Sequence, residues 1–413
     1  MRIRTAGVVT ALTLALVGAG CGGDEPATSA APEAATGKLV IWADDKRTAA
    51  LQPFAEKFGE ANGVTVEVQA VSKDLQTTFV TAAQQGSGPD VVIGAHDWIG
   101  NLVRNGAIEP VQLSAAQQDG FNEIAVKATT FNGQLYGVPY AMENLALIRN
   151  TELAPQAPTT VEELVTAAKK LQAEKKTTEL LCLQVGQNGD AYHLYPFYSS
   201  AGGYLFGTTA GGDYDPADLG VGKPGSIAAF EKISALGEKG AGLLKRSITP
   251  ENSIATFTSR KCAFLVSGPW AVTDAKKAGI AYDISPVPGF AGGQAAAPFV
   301  GVQAFYVAAK GANKALAQEF VANYTTTPEL AVALYQAEPR PPALTAALDQ
   351  VSGADPDLAK FQEAGRNGQV LPAIPEMAAI WDPFGKAEAA IVGGADVTAT
   401  VTAAGQTIAG QIK

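Results

Sequence analysis

The chain alternates between two hydrophobic periods. "KLVIWA" (38–43) and "VTVEVQAV" (64–71) repeat apolar residues at period two and read as strands, while "AALQPFAEKFGEAN" and "KDLQTTFVTAAQQG" space them three and four apart and end at Gly63 and Gly86 as helices do. "PDVVIGA" (89–95) is a third strand and "WIGNLVRNGAI" the next helix. A β-α-β-α-β order predicts a parallel sheet covered by helices. Such sheets take ligands in the crevice beyond the carboxyl ends of their strands. His96, Asp97 and Trp98 follow the third strand with no polar loop between, at the place where such a sheet puts its working side chains.

The pattern continues past residue 130. "NGQLYGVPYAMENLALIRN" (132–150) reads as a hairpin-like entry and a long extended run through Glu143. "APTTVEELVTAAKKLQAEKK" opens a helix with Thr160 and Glu163 at capping-box spacing. "LLCLQV", "CAFLVSGPW" and "YDISPVPG" read as strands, "APFVGVQAFYVAAK" as a further extended run, and the last ~60 residues as largely helical. Two α/β lobes follow. The extended runs near 138–148 and 296–306 are candidate crossings between them, a hinge of limited freedom.

The first 36 residues break this pattern. Arg2 and Arg4 precede the short apolar run "AGVVTALTLALVGAG", which predicts a signal peptide over 1–20 rather than a membrane span. Small residues before Cys21 resemble a bacterial lipoprotein processing site, which would make Cys21 a lipidated N-terminus. Residues 21–36, rich in Gly, Pro, Ala and acid, then form a flexible tether that places the body at the extracellular face of the membrane. The remaining cysteines, Cys182 and Cys262, form an even pair outside the cytoplasm, either a disulfide or two buried thiols. With two histidines and no Cys-x-x-Cys, no zinc pattern is present. No metal or cofactor is expected.

The 413 residues are 47% hydrophobic and 17% charged, with a net charge of −10, a composition for a large folded core and against nucleic acid as a partner. The segments "GKLVIWADDK", "GPDVVIGAHDWIG", "YGVPYAMENLALIRN", "VSGPWAV", "PFVGV" and "IPEMAAIWD" occur in the order and approximate spacing of the bacterial maltose/maltodextrin-binding proteins, which the chain resembles from about residue 37 to its end. The resemblance implies a two-lobed periplasmic-binding-protein-like α/β fold, each lobe a mainly parallel sheet flanked by helices. The first lobe would hold 37–141 and 303–350, and the second 146–299 and 355–413. It also implies a monomeric, non-catalytic receptor that captures a malto-oligosaccharide between the lobes and delivers it to the membrane permease subunits of an ABC importer.

Carried over position by position, the resemblance assigns Asp45, Lys46, Asp97 and Glu143 to sugar hydroxyls, and Tyr192, Trp270 and Trp381 to stacking on sugar rings. Asp44, Trp98 and Asp190 are secondary candidates, because the loop before Asp45 is one residue shorter than in the family and the loop before Tyr192 is longer. Gly94 stands where the family has a tryptophan, Trp98 where it has an arginine, Gln76 and Thr77 where it has glutamates, and Gly385 where it has an arginine. These changes put the outer subsites and the sugar's identity in question. Plainer roles stay open: Asp97 also fits a helix cap, Trp42 and Trp98 fit the core, and His96 fits a structural histidine.

Acids and flat rings suit a carbohydrate on physical grounds. Rings cover apolar C–H faces, and carboxylates accept from hydroxyls at about 1.5–3 kcal/mol each. A handful of such contacts exceeds the roughly 8 kcal/mol of micromolar binding. A receptor for trehalose or another oligosaccharide fits the same composition. A secreted glycoside hydrolase using Asp97 and Glu143 is the rival enzyme, although the sequence gives neither acid a reason for a raised pKa. Neither a G-x-S-x-G elbow nor a G-x-G-x-x-G turn after the first strand is present.

Overall fold

The computed structural model describes residues 37–412; the expected signal peptide 1–20, Cys21 and the tether 21–36 lie outside them. The opening strands pair as their alternation with helices requires. Lys38–Ala43 lies between Thr65–Ala70 and Val91–Ala95, parallel to both. Phe299–Ala308 then adds antiparallel to Val91–Ala95, and Gly137–Asn144 antiparallel to Phe299–Ala308, within a seven-stranded sheet. Side chains divide between its faces at period two. Ile41, Val91 and Ile93 join Phe58, Phe305, Phe320 and Leu330 in one core, while Val92 joins Ile99, Leu102 and Tyr306 in the other. With both faces covered, Val91–Ala95 and Phe299–Ala308 are nearly continuous apolar runs, whereas the edge strand Thr65–Ala70 alternates.

A second sheet has Ala146–Asn150 at its centre, flanked by Phe264–Ser267 and Tyr282–Ser285. Its two faces are likewise separate: Leu147, Phe264 and Val266 meet Phe197, Tyr198, Phe230, Phe384 and Ile391, and Ile148 and Leu265 meet Phe257 and Phe361. Here the expectation of a mainly parallel sheet is corrected, because Ala146–Asn150 runs antiparallel to both neighbours. The flanking strands are joined through the helix Val272–Lys277, as in a parallel β-α-β unit. The central strand comes straight from Gly137–Asn144 with only Leu145 between, so the crossing and not a helix sets its direction. "LLCLQV" makes only a single bridge, Cys182 to Leu265. That bridge lies beside the disulfide Cys182–Cys262, whose Cα atoms are 6.1 Å apart.

Both extended runs form strands. Gly137–Asn144 pairs in the first sheet and Ala146–Asn150 in the second, whereas Phe299–Ala308 pairs in the first sheet alone and the passage from Tyr282–Ser285 runs through the irregular segment 286–298. The expected cap of the helix Val161–Ala173 forms with a shift: Thr160 Oγ1 accepts from Glu163 N at 3.2 Å, but Glu163 reaches Thr159 N at 2.7 Å rather than Thr160 N.

Candidate functional site

A cleft of about 270 Å³ opens where the carboxyl end of Val91–Ala95 faces the second sheet. That is close to the lower end of the usual range for a small-molecule site, about 300 Å³. Asp97, Glu143, Tyr192, Trp270 and Trp381 line it together, with His193 and Arg340. Five of the sequence candidates, spread over nearly 300 residues, therefore meet at one surface.

The strand Val91–Ala95 ends in a tight turn, His96–Trp98, that orients three side chains differently. His96 is fully buried. Its Nδ1 accepts from Val302 N at 3.0 Å, which leaves the proton on Nε2 to donate to Leu371 O at 2.9 Å. Burial holds its pKa down to about 4, so it is a neutral structural bridge and not a catalyst. Trp98 turns back over the strand and packs, partly buried, against the cluster of Val92, Ile99 and Tyr306, outside the cleft lining. Gly94 makes this fold-back feasible, since a Cβ there would lie inside the Trp98 ring. The two departures from the family, Gly94 and Trp98, are thus one coupled change.

Asp97 points into the cleft. Burial pushes its carboxyl up to about 7, the Glu143 charge adds to the shift, and no side chain among the described residues offsets it. This supplies the reason for a raised pKa that the sequence did not give. Glu143 goes the other way. Burial alone would lift it, but the Arg340 guanidinium, helped by Arg47 and Gln303, holds it below the usual carboxylate range. Its Oε1 accepts from Gln303 Nε2 at 3.1 Å and its Oε2 pairs with Arg340 Nε.

The opposite wall is aromatic. Trp270 follows Gly268-Pro269 in a tight turn, with its ring laid against Gly268, where a Cβ would collide with it. His193 meets that ring edge-on at 6.3 Å. Tyr192 stacks near Phe299 at 6.2 Å, and its buried hydroxyl has no partner within the described residues. Burial, reinforced by Glu143, drives the Tyr192 hydroxyl pKa well above its ordinary value, so it stays a proton donor. Trp381 begins the helix Trp381–Val392 and lines the cleft from there.

The remaining candidates lie elsewhere. Asp44 caps the helix Asp45–Asn62, accepting from Arg47 N at 2.9 Å, and also pairs with the Arg47 side chain. Asp45 accepts from Ser72 Oγ at 2.6 Å, and Lys46 lies 3.2 Å from Glu338. None of the three lines the cleft; the first acid becomes the helix cap, Asp45 turns to Ser72, and Lys46 turns to Glu338 in a recess that shares Arg340 with the cleft. Asp190 sits behind the wall as the cap of Ala191–Ser200, accepting from His193 N at 2.9 Å and Nδ1 at 3.0 Å. Gly385 faces the longer loop at Asn188 and Gly189, whose backbone leaves no room for a side chain there. Arg340 is the cleft residue that sequence reasoning missed. It sits in "EPRPP", where no hydrophobic period or motif marks it, and meets Glu143 only through the fold.

Two helix-flanked sheets with a polar and aromatic cleft between them fit a protein that binds a small solute. The chain belongs to the bacterial extracellular solute-binding protein family, whose match runs over residues 54–407. It is 28% identical over 405 residues to the galactooligosaccharide-binding protein of Bacillus subtilis, covering 96% of this chain and 94% of that one. The maltotriose-binding protein of Pyrococcus abyssi is 27% identical, with 84% and 76% covered. A maltooligosaccharide ABC transporter solute-binding lipoprotein of Streptococcus pneumoniae is 28% identical, with 91% and 89% covered.

Proposed function

We propose that the protein is the lipid-anchored, monomeric receptor of a carbohydrate importer at the extracellular face of the membrane. It captures a malto-oligosaccharide in the cleft and presents it to the permease subunits of an ABC transporter. The lobes are 37–141 with 303–350, and 146–299 with 355–413. The observation that carries this reading is the meeting of Asp97 and Glu143 with Tyr192, Trp270 and Trp381 at one cleft. Rings on one wall suit sugar faces, and acids on the other suit hydroxyls. The unpartnered Tyr192 hydroxyl adds a donor for a sugar oxygen. A ligand held by both lobes can supply the roughly 5.5 kcal/mol needed to move a protein from 99% open to 99% closed.

A different oligosaccharide is the second reading. It is favoured by the galactooligosaccharide-binding relative and by the Gly94–Trp98 rearrangement beside Asp97. A hydrolase would need Glu143 as a free base or nucleophile, yet both its oxygens are engaged. Titration calorimetry with maltose, maltotriose, longer dextrins, galacto-oligosaccharides and trehalose separates these readings. One sugar bound per chain without turnover is expected, with a malto-oligosaccharide tightest. Release of free monosaccharide above a buffer blank would instead support the hydrolase. Trp270→Ala and Trp381→Ala should each weaken binding about tenfold or more, a loss of at least about 1.4 kcal/mol.

A further inference from the structure

Arg340 bridges the two lobes through the groups that the carbohydrate reading gives to the sugar. Its Nε pairs with Glu143 Oε2, and its guanidinium lies over the Trp270 ring, 5.2 Å from the ring centre. A planar cation on an indole face takes the place a pyranose would take. The six-membered ring of that indole also lies close against Gly268. A sugar stacked on the face that Arg340 covers, with a hydroxyl on Glu143, therefore cannot coexist with Arg340 as it stands.

The backbone around Arg340 is pinned, so only its side chain can yield. Met142 N donates to Pro341 O at 2.8 Å and Ala343 N to Tyr140 O at 2.9 Å, which fastens this segment along Gly137–Asn144. Beside it is a small recess lined by Lys46, Arg47, Tyr140, Glu338 and Arg340 itself, with only about 10 Å³ of free room, so the guanidinium can turn on Glu338 but not move into the recess. Glu338 already pairs with Arg340 Nη1, and the buried Tyr140 hydroxyl lacks a partner. Glu338 is shared there with Lys46 at 3.2 Å and Arg47 at 3.8 Å. The guanidinium thus has a carboxylate to hold in either position.

We propose that Arg340 is an internal competitor of the ligand. In the empty protein it covers Glu143 and Trp270, and on binding it gives up both while keeping Glu338, so it sets both affinity and specificity. A ligand must offer a flat apolar face and a hydroxyl at once to replace both of its contacts. This rests on the carbohydrate reading for the ligand, but not for the latch itself. A latch engaged in nine molecules of ten lowers apparent affinity about tenfold.

The test has a sugar-free arm and a sugar arm. Without sugar, Arg340→Ala and Arg340→Met should increase the radius of gyration in small-angle X-ray scattering and change tryptophan emission. The emission change should vanish in a Trp270→Phe background. Arg340→Lys, which keeps the charge but not the plane, should fall between wild type and Arg340→Ala, and it serves if the larger changes impair folding. With maltotriose as probe, Arg340→Ala should bind about tenfold more tightly than wild type. Unchanged scattering and emission, or weaker maltotriose binding by Arg340→Ala, would overturn the proposal. If wild type binds no sugar of the panel, the carbohydrate reading fails, and the sugar-free arm still decides whether Arg340 holds the lobes.

Discussion

His96 and Asp97 are adjacent, yet burial acts on them with opposite sign. The imidazole is held down to about 4 and the carboxyl pushed up to about 7. For His96, the unfolded chain binds the extra proton below its ordinary pKa, so stability falls as pH drops from 6.5 toward 4. For Asp97, the folded protein keeps the proton longer, so its contribution is full below 3.8 and is lost as pH rises toward 7. The slopes oppose each other in wild type. Asp97→Asn should therefore gain stability relative to wild type as pH rises from 4 to 7. His96→Ala should show the reverse slope, on top of a loss of about 2–4 kcal/mol from the unpaired Val302 N–H and Leu371 carbonyl. Urea denaturation at a series of pH values checks both. Sugar binding should also strengthen as pH rises through about 7, because ionised Asp97 is the better acceptor, and Asp97→Asn should abolish that dependence in calorimetry.

At the scale of elements, the second sheet depends on joints that its own strands do not provide. Its centre arrives from the first sheet, and its far face is closed by the Cys182–Cys262 disulfide among Ile148, Phe257 and Leu265. That bond spans 80 residues of sequence, a long loop to constrain in the unfolded chain. The double substitution Cys182→Ser with Cys262→Ser should cost about 2–4 kcal/mol in guanidinium unfolding of the oxidised protein. Added reductant should lower the melting temperature of wild type and leave the double variant unmoved. The turn after Phe264–Ser267 is an element of the same kind: bare Gly268 lets Trp270 fold flat and face the cleft. On the first sheet Gly94 does the equivalent for Trp98, but there the ring turns into the core.

For the whole molecule, the two sheets have separate cores and are tied by Gly137–Asn144 and Ala146–Asn150, one in each sheet with only Leu145 between, and by the longer return 286–298. Such a joint favours a hinge about few residues over free tumbling of lobes. A ligand that bridges Asp97 and Glu143 to Trp270 and Trp381 should stabilise the assembled state alone. At a hundredfold excess over its Kd, the recognised sugar should add about 2.7 kcal/mol to stability, read as a rise in melting temperature that grows with sugar concentration. A sugar that contacts one lobe only should bind without compacting the protein, and scattering measured beside the melting curve distinguishes the two.

Element types and their α/β order were legible in the sequence, because period two and period 3.6 are local properties of a chain that buries one face or both. Asp97 was legible at the end of a strand, whereas Glu143, Tyr192, Trp270 and Trp381 were assigned only through the family resemblance. Other features waited for the fold. Asp45 and Lys46 lie outside the cleft lining and Asp44 is taken up as a helix cap, and whether Cys182 and Cys262 bond depended on two distant segments meeting. Arg340 reaches Glu143 across 197 residues, and no local pattern encodes such a contact. Hydrophobic period is written in neighbours three or four apart, whereas charge pairing in a cleft is decided by chain segments that only packing brings together.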